Sequence, residues 1–180
     1  MKVKQIAGLA LTVGILSSGA VFAQAAQKPL PAQKPLPAPT PVAVTQPLVF
    51  SGAVTVPQEK SQASPKTPAI SVGSASYLFN PKTRELRYFI SYAGMSSAPF
   101  MAHFHLGKAT TNGPIIQTIC GKPQPTLLGP CPKHNYGVMQ GTWKVPAKYV
   151  RDLLQGGLYV NLHTKLSPPG EIRGQIIPGR

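Results

Sequence analysis

Over residues 84–92 the side chains alternate clearly enough to fix the backbone. Leu86, Tyr88 and Ile90 fall on one face, Arg87 and Ser91 on the other. Period-two alternation belongs to a half-buried β-strand, because successive strand side chains point to opposite faces. Asn80-Pro81-Lys82-Thr83 just before it is turn chemistry. Residues 70–79, weakly alternating and rich in small side chains, supply the partner strand, so a hairpin is expected. Strand-like runs recur at 48–56, 100–106, 114–119, 138–143, 158–163 and 172–177, separated by proline and glycine. Residues 145–154 break the pattern: Val150, Leu153 and Leu154 fit a short amphipathic helix closed by Gly156-Gly157. About eight short strands with one helix predict an all-β domain, an antiparallel Greek-key β-sandwich or barrel.

That domain is expected over residues 48–180, behind two segments of other character. Lys2 and Lys4, the apolar run 6–16 and the small residues around Val21-Phe22-Ala23 form a secretory signal peptide over 1–23. The apolar run is too short for a membrane anchor, and no Cys follows it to carry a lipid. Cleavage is expected after Ala23, with Ala25 or Ala26 as alternatives, which exports the mature protein to a periplasm, a cell surface or the medium. Residues 24–47 contain the repeat Gln-Lys-Pro-Leu-Pro-Ala at 27–32 and 33–38, then Pro39, Pro41 and Pro47. Such spacing favours an extended polyproline II tether.

Charge narrows the chemistry. The formal net charge is +14, and loss of Lys2 and Lys4 lowers it to +12. A basic exported protein draws anionic partners: a small anion such as superoxide, an outer leaflet, or a polyanion such as a polysaccharide, with an extracellular protein as the other partner. Nucleic acid is a poor fit, given export and the lack of an aromatic-basic motif. Only Glu59, Glu85, Asp152 and Glu171 are acidic. That scarcity argues against a glycosidase pair of carboxylates and an oxygen-rich calcium cage. A serine hydrolase is disfavoured too, because no Gly-x-Ser-x-Gly occurs. Cys120 and Cys131, in an exported chain, are expected to form a disulfide closing the intervening loop.

The chemistry therefore falls on the four histidines. His103 and His105 lie two apart in Phe-Met-Ala-His-Phe-His-Leu-Gly (100–107), so both imidazoles share one strand face and Phe104 takes the other. His163 lies in a later strand, and His134 in a loop-rich stretch. Two imidazoles at that spacing chelate one ion if a third arrives from a neighbouring strand. His103, His105 and His163 are the candidate metal ligands, with His134 as a fourth if its loop folds over. Copper suits the nitrogen donors, with iron as the alternative. Met101 shares the face of His103 and His105, as a packing residue or a thioether for Cu(I). The competing reading is a hydrogen-bond network, in which His103 orients Asn161 or Thr164, Glu171 holds another imidazole, and Arg173 pairs with Glu171.

Five motifs in order carry a resemblance: Gly-Ala-Val-Thr-Val-Pro at 52–57, Ala-His-Phe-His-Leu-Gly at 102–107, Asn-Gly-Pro-Ile at 112–115, Gly-Leu-Tyr-Val-Asn-Leu-His-Thr at 157–164 and Gly-Glu-Ile-Arg-Gly-Gln-Ile at 170–176. Together they resemble the CHRD domain, named for its occurrence in chordin, an extracellular binder of growth factors. The resemblance covers roughly 48–178 and omits the Cys120–Cys131 loop and His134. It implies a non-catalytic extracellular binding module as one function. A looser similarity is to the copper-zinc superoxide dismutases, Greek-key barrels with a His-x-His strand, a late copper-ligating His and an Arg that guides the anionic substrate. His103 and His105 look like the strand pair, His163 like the late ligand and Arg173 like the guide for superoxide. The zinc-loop cluster and the bridging His have no counterpart, so the similarity implies a copper-only or otherwise mononuclear site.

Overall fold

In the computed structural model, residues 46–60 and 70–179 are described. The expected signal peptide and almost all of the proline-rich tether lie outside the described residues. Nine strands form among them: β1 Leu48–Thr55, β2 Val72–Asn80, β3 Glu85–Ala93, β4 Pro99–Leu106, β5 Ile115–Cys120, β6 Gly137–Lys144, β7 Leu158–Thr164, β8 Ile172–Gln175 and β9 Ile177–Pro178. One α-helix, α1 (Ala147–Leu154), follows β6. The strands join in the order β5-β4-β7-β8-β1-β2-β3-β6, with β9 also paired to β1. Their pairings are antiparallel. The predicted all-β antiparallel fold with one short helix is the fold observed. No helix among the described residues is long and apolar enough to cross a membrane.

The hairpin predicted from alternation is β2–β3, in register from Val72 opposite Ala93 to Asn80 opposite Glu85. Its turn is held by the Asn80 carboxamide, whose Oδ1 accepts from the backbone N–H of Lys82 at 2.9 Å and of Thr83 at 3.3 Å. Such local bonding is why Asn opens turns. Leu86, Tyr88 and Ile90 are buried, as the pattern requires.

The sheet curls until its far ends face one another. Phe104 on β4 stacks on Trp143 of β6 with ring centroids 5.1 Å apart and meets Tyr88 of β3 edge-on at 5.5 Å. Ala102 and Phe104 from β4, Val160 and Leu162 from β7 and Ile172 from β8 point into this core. β7 is buried along its whole length, on both faces. Its second face therefore lies under loops instead of solvent, and its polar residues are enclosed.

Glu171 is the clearest correction. It pairs neither with Arg173 nor with an imidazole. Its carboxylate, fully buried, accepts from Ser71 Oγ at 2.8 Å, from the Ser96 backbone N–H at 2.7 Å, and from the Ser96 and Thr164 hydroxyls. Four donors replace the water it lost, which is what a buried carboxylate needs.

The Cys120–Cys131 disulfide is present, and Cys120 is buried at the end of β5. It closes a short loop, so replacing both cysteines by Ala should lower stability by roughly 2–3 kcal/mol. Urea unfolding of the double variant under non-reducing conditions measures this; an unchanged midpoint would contradict the loop-closure argument.

Candidate metal centre

Register decides which side chains meet on the outer face of β4, β7 and β8. Met101 lies opposite His163, His103 opposite Asn161, and His105 opposite Tyr159. On the next strand Asn161 lies opposite Arg173. Antiparallel partners share a face, so one side of this part of the sheet is polar and the other is core. The expectation that His103 and His105 share a face away from Phe104 is met, with their rings 5.6 Å apart. His163 joins them from β7, its ring 4.8 Å from that of His103. One ring nitrogen from each of the three lies within 4.8 Å of the others, and all three residues are buried.

Each imidazole is pinned through its other nitrogen. His103 Nε2 donates to the Lys122 carbonyl, His105 Nδ1 to the Gly113 carbonyl at 3.0 Å, and His163 Nδ1 to the Pro168 carbonyl at 2.9 Å. A carbonyl oxygen only accepts, so these nitrogens carry the protons. In neutral rings the remaining nitrogens, His103 Nδ1, His105 Nε2 and His163 Nε2, are then the unprotonated ones. His103 Nδ1 and His163 Nε2 face each other at 3.0 Å, and His105 Nε2 is buried without a hydrogen-bond partner. Two lone pairs at that distance repel unless a proton or a metal ion lies between them. The 3.0 Å between His103 Nδ1 and His163 Nε2 suits two nitrogens each bound at about 2.0 Å to one ion, and His105 completes the set by a small inward shift, since two such bonds span at most about 4 Å. Pinning the second ring nitrogen on a backbone carbonyl is the arrangement that orients metal-ligating histidines.

Burial also keeps the ligands uncharged. It pushes His103 and His105 below the usual imidazole range, partly offset by their carbonyl hydrogen bonds. His163 is pushed from 6.5 to about 4, by burial first; its bond to Pro168 and the Glu59 charge oppose the shift, while His103 and His105 add to it. Neutral imidazole is the ligating form, so no proton need leave at neutral pH.

Other expected participants stand elsewhere. His134 is exposed and stacks on Tyr136 with centroids 5.5 Å apart; the structure does not bring it to the other three. Met101 is half-buried at its register position beside His163. Arg173 is only 1% exposed. Its guanidinium donates to Asn112 Oδ1 at 3.1 Å and to the Lys108 and Thr111 carbonyls at 2.8 and 2.9 Å, and lies 3.4 Å from the Tyr159 ring centre. Tyr159 in turn stacks on His105 at 4.7 Å, and its hydroxyl accepts from the Gly113 N–H at 3.1 Å. Arg173 and Tyr159 thus brace the loop that presents the Gly113 carbonyl to His105. Sequence reading did not find these three carbonyls or Glu59, whose Oε2 accepts from Asn161 Nδ2. Backbone acceptors leave no mark in side-chain identity. Tyr159, Asn161 and His163 at i, i+2 and i+4 were legible as one face.

The depressed His163 pKa has a measurable sign. Between about 6.5 and about 4 the unfolded chain binds a proton there that the folded protein does not. The metal-free protein should therefore lose stability as pH falls through that window, by on the order of 3 kcal/mol from this group. Urea midpoints across the window should flatten in His163→Gln; an equally steep profile would contradict the assignment.

The sequence matches the family model of the CHRD domain over residues 49–176. No curated protein and no solved structure matches the chain. The match spans the whole β-sheet up to β8 and includes all three clustered histidines, so the chain belongs to the CHRD domain family.

Proposed function

We propose that this CHRD-domain protein is exported and holds one transition-metal ion through His103 Nδ1, His105 Nε2 and His163 Nε2. The observation that carries the reading is the clustering of three buried imidazoles, one ring nitrogen of each within 4.8 Å of the others and each ring held by a backbone carbonyl. Three imidazoles favour copper over magnesium or calcium, with iron as the alternative. A copper ion there would supply one-electron chemistry, and dismutation of superoxide is the activity to which this reading extends. The chain's own part is to orient the imidazoles, keep them neutral and shut the site under three loops. Arg173 enters as the brace of one loop, since so little of it reaches solvent. The charge pattern of residues 1–23 and the disulfide support export.

A second reading, a non-catalytic binding module, is supported by apolar side chains exposed on the sheet: Val49 and Leu78 lie opposite each other on β1 and β2, and Phe89 lies on β3. With the basic charge, such a face suits an extracellular protein or polyanion.

Untagged mature protein should carry about one equivalent of metal by elemental analysis, and His103→Ala/His105→Ala should carry none. Stripping the ion with a chelator should lower the thermal midpoint of the wild type, because ligand bound to the folded state at 100 times its Kd adds about 2.7 kcal/mol. The double variant should not respond. Absence of stoichiometric metal, native or added as Cu(II), would overturn the metal reading and leave the binding module.

A further inference from the structure

We propose that Glu59 is the counter-charge of this metal centre, held by Asn161 and given room by the missing side chain at Gly170. The inference rests on the His103–His105–His163 reading. Three neutral imidazoles leave an ion's charge uncompensated in a site whose ligands are buried, and Arg173 adds a second positive charge next to Tyr159 and His105. A buried charge needs an opposite partner.

The chain has few candidates. Glu85 stands exposed at the start of β3, Asp152 lies on α1, and the Glu171 carboxylate is spent on Ser71, Ser96 and Thr164. Glu59 follows the short 3₁₀ turn after β1 and is hydrogen-bonded to Asn161, the β7 neighbour of His103. Its two oxygens are fixed: Oε1 accepts from the Lys60 backbone N–H at 2.9 Å, and Oε2 from Asn161 Nδ2. Asn161 is the register partner of His103, and its Oδ1 is buried with no hydrogen-bond partner. The pair thus adds a carboxylate and an unfilled amide acceptor beside the triad.

Gly170 makes this possible. A Cβ there would lie 2.3 Å from Glu59 Oε2, 2.6 Å from Asn161 Nδ2 and 2.8 Å from Asn161 Oδ1. Glu59 is not among the converging donors. It acts through the field at the ion, as a positioning residue and not as a ligand.

The test is a chelator-competition titration of the mature protein with Cu(II), with the Cu(II)/Cu(I) potential measured alongside. Glu59→Gln keeps an acceptor for Asn161 and removes the charge. It should weaken Cu(II) on the order of 10- to 100-fold, as loss of an outer-shell partner does, and raise the potential, because a nearby anion favours the more highly charged ion. Glu59→Asp should recover most of the affinity, and Glu85→Gln should leave it unchanged. Affinity of Glu59→Gln within twofold of wild type, an unmoved potential, or equal losses in Glu59→Asp and Glu59→Gln would overturn the proposal. Failure of the wild type to bind Cu(II) overturns the metal reading itself, a distinguishable result.

Discussion

The site depends on three hydrogen bonds in which backbone carbonyls take the ring protons of three imidazoles. A histidine has two nitrogens, and whichever one is pinned as a donor leaves the other as a lone pair of fixed direction. Here the carbonyls of Lys122, Gly113 and Pro168 make that choice, each from a different loop. The choices differ: His103 is left with Nδ1, His105 and His163 with Nε2.

The sheet supplies what the carbonyls need. Strands β4, β7 and β8 carry apolar residues toward the curled core and polar ones outward, and loops then cover the outward face. Enclosure at His163, which is 6% exposed, makes the charged form unfavourable and leaves neutral imidazole in place. The same enclosure makes every partner count. Glu171 takes four donors, and Arg173 is spread over one carboxamide, two carbonyls and the Tyr159 ring. The disulfide belongs to this arrangement too, because the loop it closes begins at Gly121-Lys122 and carries the carbonyl that orients His103.

Period-two alternation made most of the scaffold legible. Residues 84–92 named their strand, Asn80 its turn, and the two glycines after Leu154 the end of the helix. The His103–His105 face followed from spacing alone, and His163 from its place in a second strand. Two things escaped. The partners of Glu171 and Arg173 depend on how loops fold over the sheet, and their spacing of two suggested an ion pair that the structure replaces with hydroxyls and a backbone N–H on one side and a carboxamide and carbonyls on the other. His134 was expected to join the other three only if its loop folded over, and the loop holds it exposed beside Tyr136. Nothing local distinguishes an imidazole that folds inward from one that stays out; that is settled by long-range packing.

The central claim is that the three ring protons are already placed before any ion arrives. Two-bond proton–nitrogen correlation spectra of the histidine rings in metal-free protein at neutral pH read this directly. The account predicts three neutral rings, His103 protonated at Nε2, and His105 and His163 protonated at Nδ1. A charged ring among the three, or His103 protonated at Nδ1, would contradict it.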